Sequence, residues 1–464
     1  MRGYDAIKAL KKRHKYRKVT DLLVMANQND PFYAGSEGQR AKAEWFADLW
    51  RQFGYSSGVH LRRVHYQLVS QRNPRKHDGM GYENTEGCWD YLQEAGRMAR
   101  YLELVDAEAF EDHRNPDPQI YAANAVYRAE PGFDVSSLWW YLPVIKTDLD
   151  ESVSLNLPSP HVTGYDYRPA DQPYHIELWV EKSTMDDVLL PLAQRLNINL
   201  VTSLGFQSIT SVVNMLKRIK AGGKPARIFY ISDFDPAGDR MPVQVARQVE
   251  FWLSEYAPDC DIKLTPLALT LDQVQTHQLP RIPVKDTDRR KAGFEERYGE
   301  GQVELDALEA LYPGTLAQIV RQAVIPYRDA RLSARLEETR SEAEAEVEEA
   351  WQEATGDIET ELEVIGDEAR AILARYQSRL TELAAELDTD LAPLRERLEI
   401  ARQAVQKAAD ELEVDLPERP EAEVYPPSED GWLFDAGREY MDQLAVYKAR
   451  QARDAGRRVR GKRE

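Results

Sequence analysis

Between residues 174 and 325 two hydrophobic patterns alternate along the chain. Short, nearly unbroken apolar runs, HIELWVE (175–181), NINLVTS (197–203), ARIFYIS (226–232) and DIKLTPLAL (261–269), predict strands buried on both faces. The segments between them, STMDDVLLPLAQRL, QSITSVVNMLKRIKAG and GDRMPVQVARQVEFWLSEY, place apolar residues three and four apart and predict helices, with Ser183 or Thr184 as a plausible N-cap of the first. Strands alternating with helices of this length predict a parallel, helix-covered sheet. From about residue 331 the spacing changes again. Trp351, Ile358, Leu362, Ile365, Ala369, Ile372, Tyr376, Leu380, Leu383 and Leu387 form one stripe; Leu394, Leu398, Ala401, Val405, Ala408 and Leu412 form a second. This narrow pattern predicts a coiled coil or helical hairpin broken near Pro393 and separable from any chemistry carried upstream. A seam within the chain and a seam between two chains fit it equally.

Nearer the N-terminus, SSGVHLRRVHYQLVSQ (56–71) predicts a short helix. Leu61, Val64 and Leu68 share one face, and Tyr66 falls on the opposite side with Arg62, beside Arg63. TEGCWDYLQEAGRMARYLELV predicts a second helix carrying Arg97 and Arg100, and the pair suggests a helix-turn-helix or winged-helix DNA module. The expected organisation is a basic leader (1–35), a winged-helix-like domain (36–170), a parallel α/β domain (171–330), an acidic helical region (331–415), and a linker with a basic tail (416–464). The fold class is therefore α/β plus α.

Charge refines this picture. The net charge of −19 argues against a polyanionic partner only on average. Residues 1–80 carry 16 Lys and Arg against 7 Asp and Glu, and residues 448–464 carry 8 against 2, whereas 331–420 carry 11 against 25. Basic ends on an acidic body leave room for a local nucleic-acid footprint. The two cysteines, Cys88 and Cys260, are too few for a disulfide scaffold and fit a reducing compartment. No apolar run approaches the roughly 18 residues of a membrane span. The expectation is a soluble cytoplasmic protein.

The sharpest chemical signal is three carboxylates. Glu181 ends the first strand of the α/β region, and Asp233 and Asp235, in SDFDPAGDR, follow the third. Ligand sites of open α/β sheets lie outside the carboxyl ends of strands, so these acids can converge there. Crowded together they need a hard divalent cation, and Mg²⁺ suits a few carboxylates plus phosphate oxygens. Asp239 either joins them or complements a helix dipole.

VEK followed by DFDPAGD resembles the Toprim domain, the Mg²⁺-binding unit of topoisomerases, DnaG-type primases and some nucleases. Matched residue by residue, Glu181 falls on its glutamate motif and Asp233 and Asp235 on its DxD motif. With RRVHY upstream, the order of parts resembles the topoisomerase VI A subunit and its meiotic double-strand-break relative, in a compact phage- or mobile-element-type form. His65 stands where that family usually has another Tyr, and Arg63 where an acid is common. The resemblance, over roughly residues 55–325, implies Tyr66 as a catalytic nucleophile on double-stranded DNA with Arg62 as the motif arginine. It also implies a homodimer with composite sites. Arg62 and Arg63 would clamp the phosphate, with Arg97 and Arg100 on the DNA-binding surface. No ATP-binding motif is present, so strand passage would require a separate ATPase subunit. Two other readings remain: a Toprim nuclease using metal-activated water, and a non-catalytic DNA-binding or assembly protein.

Overall fold

The computed structural model describes residues 3–111, 115–122, 129–137, 140–142, 152–203, 205–376, 384–428 and 430–460, with backbone alone for 384–385 and 451–460. The chain divides into two compact units. One comprises residues 1–126, 169–329 and 424–464, and the other comprises 127–168 and 330–423. The expected 36–170 domain thus does not stay together: its residues up to 126 lie in the first unit and the rest mostly in the second.

Four helices come first: α1 (Gly3–Arg13), α2 (Glu37–Gln52), α3 (Leu61–Val69) and α4 (Glu86–Tyr101). A short antiparallel pair follows, β1 (Gly132–Val135) and β2 (Pro160–Thr163). The α/β region runs β3 (His175–Val180), α5 (Asp186–Leu196), β4 (Asn199–Thr202), α6 (Ile209–Gly222), β5 (Ala226–Ile231), α7 (Met241–Tyr256) and β6 (Ile262–Ala268). Short helices α8 (Leu271–Thr276), α9 (Lys291–Tyr298), α10 (Leu305–Leu311) and α11 (Thr315–Val324) precede two long ones, α12 (Leu332–Tyr376) and α13 (Ala384–Glu411). Strand β7 (Phe434–Asp435) and helix α14 (Tyr440–Arg460) end the order.

The protein is mixed α/β. Its five-stranded sheet has the order β4-β3-β5-β6-β7, with the first four strands parallel and β7 antiparallel on the edge. Alternation along the central strands sorts side chains between two cores. Trp179, Ile228 and Tyr230 face one core, with α6, α7 and the N-terminal helices; Ile176, Leu178, Phe229 and Ile231 face the other, with α5 and α11. Glu177 interrupts this apolar set and is fully buried. It accepts from His175 Nε2 at 2.8 Å, Trp179 Nε1 at 2.8 Å, Arg218 Nε at 3.0 Å and Arg218 Nη2 at 3.1 Å. Burial alone would raise its pKa, but Arg218 and then His175 hold the carboxyl well below the usual carboxylate range. Glu177 is a satisfied core charge.

In the second unit α12 and α13 form an antiparallel hairpin, so the seam is filled from within the chain. Leu362, Ile365, Ala369 and Leu373 pack against Leu387, Leu391, Leu394, Leu398 and Ala401. Arg397 spans it to Glu361 and Glu368, at 2.6 Å each. The break expected near Pro393 is not there, because α13 runs through that proline. Leu391 and Leu394 flank it in the seam, and their burial offsets the one helical hydrogen bond that a proline removes. Residues 377–383, with Leu380 and Leu383 of the expected stripe, lie outside the described residues.

No described helix is long and apolar enough to cross a membrane.

Candidate functional site

Parallel pairing sets the site. β3 and β5 run in register from His175↔Ala226 to Val180↔Ile231, so Glu181 emerges beside Ser232, one residue short of Asp233. The Asp233 amide donates to Glu181 Oε2 at 3.0 Å. Asp233 Oδ1 accepts from the Leu305 amide at 2.6 Å, and its Oδ2 meets Lys182 Nζ at 3.0 Å. Lys182 also reaches Asp306 at 2.6 Å. Asp235 Oδ1 accepts from the amides of Ala237 at 2.8 Å and Gly238 at 2.6 Å, which closes the turn into α7. That turn requires glycine, since a Cβ on Gly238 would stand 2.1 Å from the Asp233 carbonyl oxygen.

The electrostatics differ sharply from those at Glu177. Burial, then the Asp233 charge and more weakly that of Asp235, push Glu181 up to about 7. Burial also raises Asp233, against the Leu305 amide and Lys182, and raises Asp235 against the amides of its turn. Burial opposes the Lys182 charge, but hydrogen bonds to Asp306 and Asp233 hold it protonated, above the usual lysine range. Desolvated, mutually repelling oxygen donors fit a hard cation such as Mg²⁺. Among the described residues, however, no group of three or more His, Cys, Asp or Glu is already gathered as a ligand set. The Lys182 ammonium instead neutralises part of the Asp233 charge.

This strain has a measurable consequence. Between pH about 4.5 and about 7 the folded protein holds a proton on Glu181 that the unfolded chain releases, so its contribution to stability falls as pH rises through that window. In EDTA, Glu181→Gln is expected to stabilise the protein at pH 8 by on the order of 2–3 kcal/mol and by less than about 1 kcal/mol at pH 5. Denaturant unfolding at the two pH values measures it, and a variant no more stable than wild type at pH 8 removes the argument.

Asp233 and Asp235, but not Glu181, line a cleft of about 710 Å³ at this sheet edge. Asp233, Asp235 and Asp239 lie on its wall, with Phe294 and Tyr298 of α9, Leu433, and Arg450 of α14. Asp239 lies on the same cleft wall just ahead of α7, with its oxygens engaged by neighbouring side chains. Its Oδ1 accepts from Tyr298 Oη at 2.8 Å, and its Oδ2 pairs with Arg297 at 2.8 Å and Arg240 at 3.6 Å.

Tyr66 sits on α3, whose N-terminus is capped by His60 Nδ1 accepting from the Arg62 amide at 3.1 Å. Val64 and Leu68 are buried, whereas Tyr66 is 60% exposed, and Arg62 and Arg63 are also exposed. His65 is a buried anchor, held by Tyr82 Oη at 2.7 Å and Asn84 Oδ1 at 3.1 Å, and it fixes the rotation of the helix that presents Tyr66. Neither Tyr66 nor Arg62 lines the carboxylate cleft. Arg97 and Arg100 do not join the exposed basic face. Arg97 donates to the Gln28 carbonyl at 3.0 Å. Arg100 is buried, donating to the Ala107 carbonyl at 3.3 Å with its guanidinium 4.4 Å from the Phe110 ring centroid. Arg100 is thus taken up in packing, while Arg97 stays half-buried.

Lys182, Arg240, Arg297, Tyr298 and Arg450 escaped the reading of the sequence. Only Lys182, directly after Glu181, carried a local signal. Comparison with protein-family models and with curated proteins returns no match to this chain.

Proposed function

We propose that the protein cleaves double-stranded DNA by Mg²⁺-dependent transesterification, with Tyr66 as the nucleophile. The observation that carries the reading is the meeting of Glu181 and Asp233 at the ends of adjacent parallel strands, with Asp235 two residues on, all desolvated. The winged-helix-like reading of α2–α4, the Toprim-like reading of the sheet and the topoisomerase VI A likeness belong to this proposal. The Tyr66 hydroxyl oxygen attacks a backbone phosphorus, forming the O–P bond of a 5′-phosphotyrosyl link as the bond to the 3′ oxygen breaks. The phenol gives its proton to solvent, and the departing oxygen takes one to become a free 3′-hydroxyl. Arg62 and Arg63 hold the phosphate's negative charge near Tyr66. When bound by Glu181, Asp233 and Asp235, Mg²⁺ supplies neutralisation of charge on the phosphate oxygens. Because Tyr66 does not line its own chain's cleft, a homodimer in which it serves the carboxylates of a second copy suits the reading.

A second reading is a Toprim-type nuclease in which a metal-held water replaces the tyrosine. Among the described residues no hydrogen-bond partner activates the Tyr66 hydroxyl, which favours it. Tyr66→Phe separates the two. A transesterase loses cleavage by at least about 10³-fold and leaves no protein on the DNA after rapid SDS quenching, while wild type does. A variant that still cuts plasmid at the wild-type rate establishes the nuclease instead. No cleavage by wild type in Mg²⁺ at any protein concentration leaves a DNA-binding or assembly role.

A further inference from the structure

Beside the carboxylates, the cleft holds a second and oppositely charged feature. Arg240, Arg297 and Arg450 surround a small recess with Asp239, backed by Val243, Leu433 and Tyr447. Asp239, with its side chain 8% exposed, is the one carboxylate lining that recess, and it is already shared between Arg297 and Arg240 and further held by Tyr298. Arg297 is nearly buried and Arg240 about two-thirds so. Arg450 makes no ion pair among the described residues. Asp430 lines the wider cleft and is not paired with it. Three guanidinium groups against one carboxylate leave an excess of two positive charges in the lining, with Arg240 and Arg450 still partly open to solvent. Such an excess attracts an anion, most strongly at the nearly buried Arg297. Burial lowers the Arg240 pKa, and the neighbouring Arg297 and Arg450 charges press the same way. The recess also adjoins the start of α7, a helix of 16 residues, whose first turn contributes partial positive charge.

We propose that Arg240, Arg297 and Arg450 form a phosphate-binding subsite in the cleft wall beside the carboxylates, taking a backbone phosphate of a nucleic-acid strand. The chemistry of the recess suits a phosphate-like oxyanion at its mouth, because guanidinium forks match its oxygens in pairs. That the phosphate belongs to a strand rests on the proposed function and on the shared cleft, whose wall holds Asp233 and Asp235 together with Asp239 and Arg450. A polyanion passing the carboxylates has this recess in its path. The subsite is distinct from the Arg62 and Arg63 face of α3, which lies outside that cleft.

The test uses the full chain in EDTA, where no metal-dependent step occurs, so it reads the subsite independently of cleavage and of Tyr66. Binding of a short fluorescent duplex is followed over a salt series for wild type, Arg240→Gln and Arg450→Gln. In parallel, the rise in melting temperature given by inorganic phosphate is measured. Each substitution is expected to weaken duplex binding about tenfold at low salt. It should also flatten the slope of log affinity against log salt by about 0.9, the share of one phosphate contact. The phosphate-induced rise should shrink in the same variants. Arg450→Lys, which keeps the charge and loses the fork, should retain the slope and lose part of the affinity. Variants that keep duplex affinity and slope but lose the phosphate response would assign the recess to a free phosphate group and overturn the strand assignment. Variants unchanged in both would make the arginines structural partners of Asp239 alone and overturn the subsite. Arg450 has no ion pair to lose among the described residues, so Arg450→Gln should melt like wild type. If Arg240→Gln does not fold, Arg450→Gln alone decides.

Discussion

Replacing Asp233 and Asp235 together by alanine is expected to lower Mg²⁺-dependent plasmid cleavage by at least about 10³-fold, a loss of about 4 kcal/mol of transition-state stabilisation. The two acids carry oxygens that a divalent cation can share, and burial already disfavours their charge in its absence. Neither side chain fills a core. Each does hold backbone in place, however: Asp233 the Leu305 amide and Asp235 the turn at Ala237 and Gly238. Asparagine at both positions keeps an acceptor for those amides while removing the charge, and so should match alanine in lost cleavage with less loss of stability. Plasmid cleavage over a Mg²⁺ series, with melting curves for each variant, measures both effects. Cleavage by the double variant at the wild-type rate would end the metal-site reading.

The largest effect on stability should come from a position remote from this chemistry. Asp30→Ala is expected to cost about 3–5 kcal/mol, because it strands a buried cation. Asp30 and Arg247 have fully buried side chains and meet at 2.9 Å. The Asp30 oxygens also accept from the amides of Val24 at 3.0 Å, Met25 at 3.2 Å and Phe32 at 3.1 Å. Arg247 in turn pairs with Glu250 at 2.8 Å, donates to Tyr440 Oη at 3.1 Å and stacks 4.3 Å from the Phe32 ring centroid. Denaturant midpoints test this, and a loss under about 1 kcal/mol would mean that Glu250 alone neutralises Arg247. Adding Arg247→Met and Glu250→Gln together to Asp30→Ala should recover part of the loss, since the cation is removed without leaving the Glu250 carboxylate buried alone.

What the sequence made legible follows from where a signal is local. β3, β4, β5 and β6 could be read because burial on both faces writes itself as continuous apolar runs, and Glu181 and Asp233 could be placed because strand ends are where such runs stop. β7 could not. Phe434 and Asp435 are two residues after a proline- and acid-rich stretch, and only their pairing with Leu264 and Lys263 makes them a strand. Arg100 was misplaced for a related reason. Helical spacing gives the side of the helix but not what covers it, and here the Phe110 ring and the Ala107 carbonyl do. The residues from 448 onward read as a loose basic tail, yet α14 runs to Arg460, with Lys448 donating to the Asp21 carbonyl and Arg450 facing the cleft. Arg240, Arg297 and Arg450 are brought together by folding alone, which no spacing rule anticipates.

The return of β7 and α14 to the first unit also sets an order in time. On a ribosome, Asp30 and Arg247 are both made well before Tyr440, Tyr447 and the β7 strand that closes the edge of β6. Until then the Lys263 and Leu264 edge is open, Leu433, Phe434, Leu444 and Tyr447 are missing from the core they complete, and Arg450 is absent from the cleft. The acidic hairpin is synthesised in that interval. A nascent chain therefore carries Tyr66 and all three carboxylates while the first unit is still unfinished, and a chain that stops anywhere in the hairpin cannot complete the cleft.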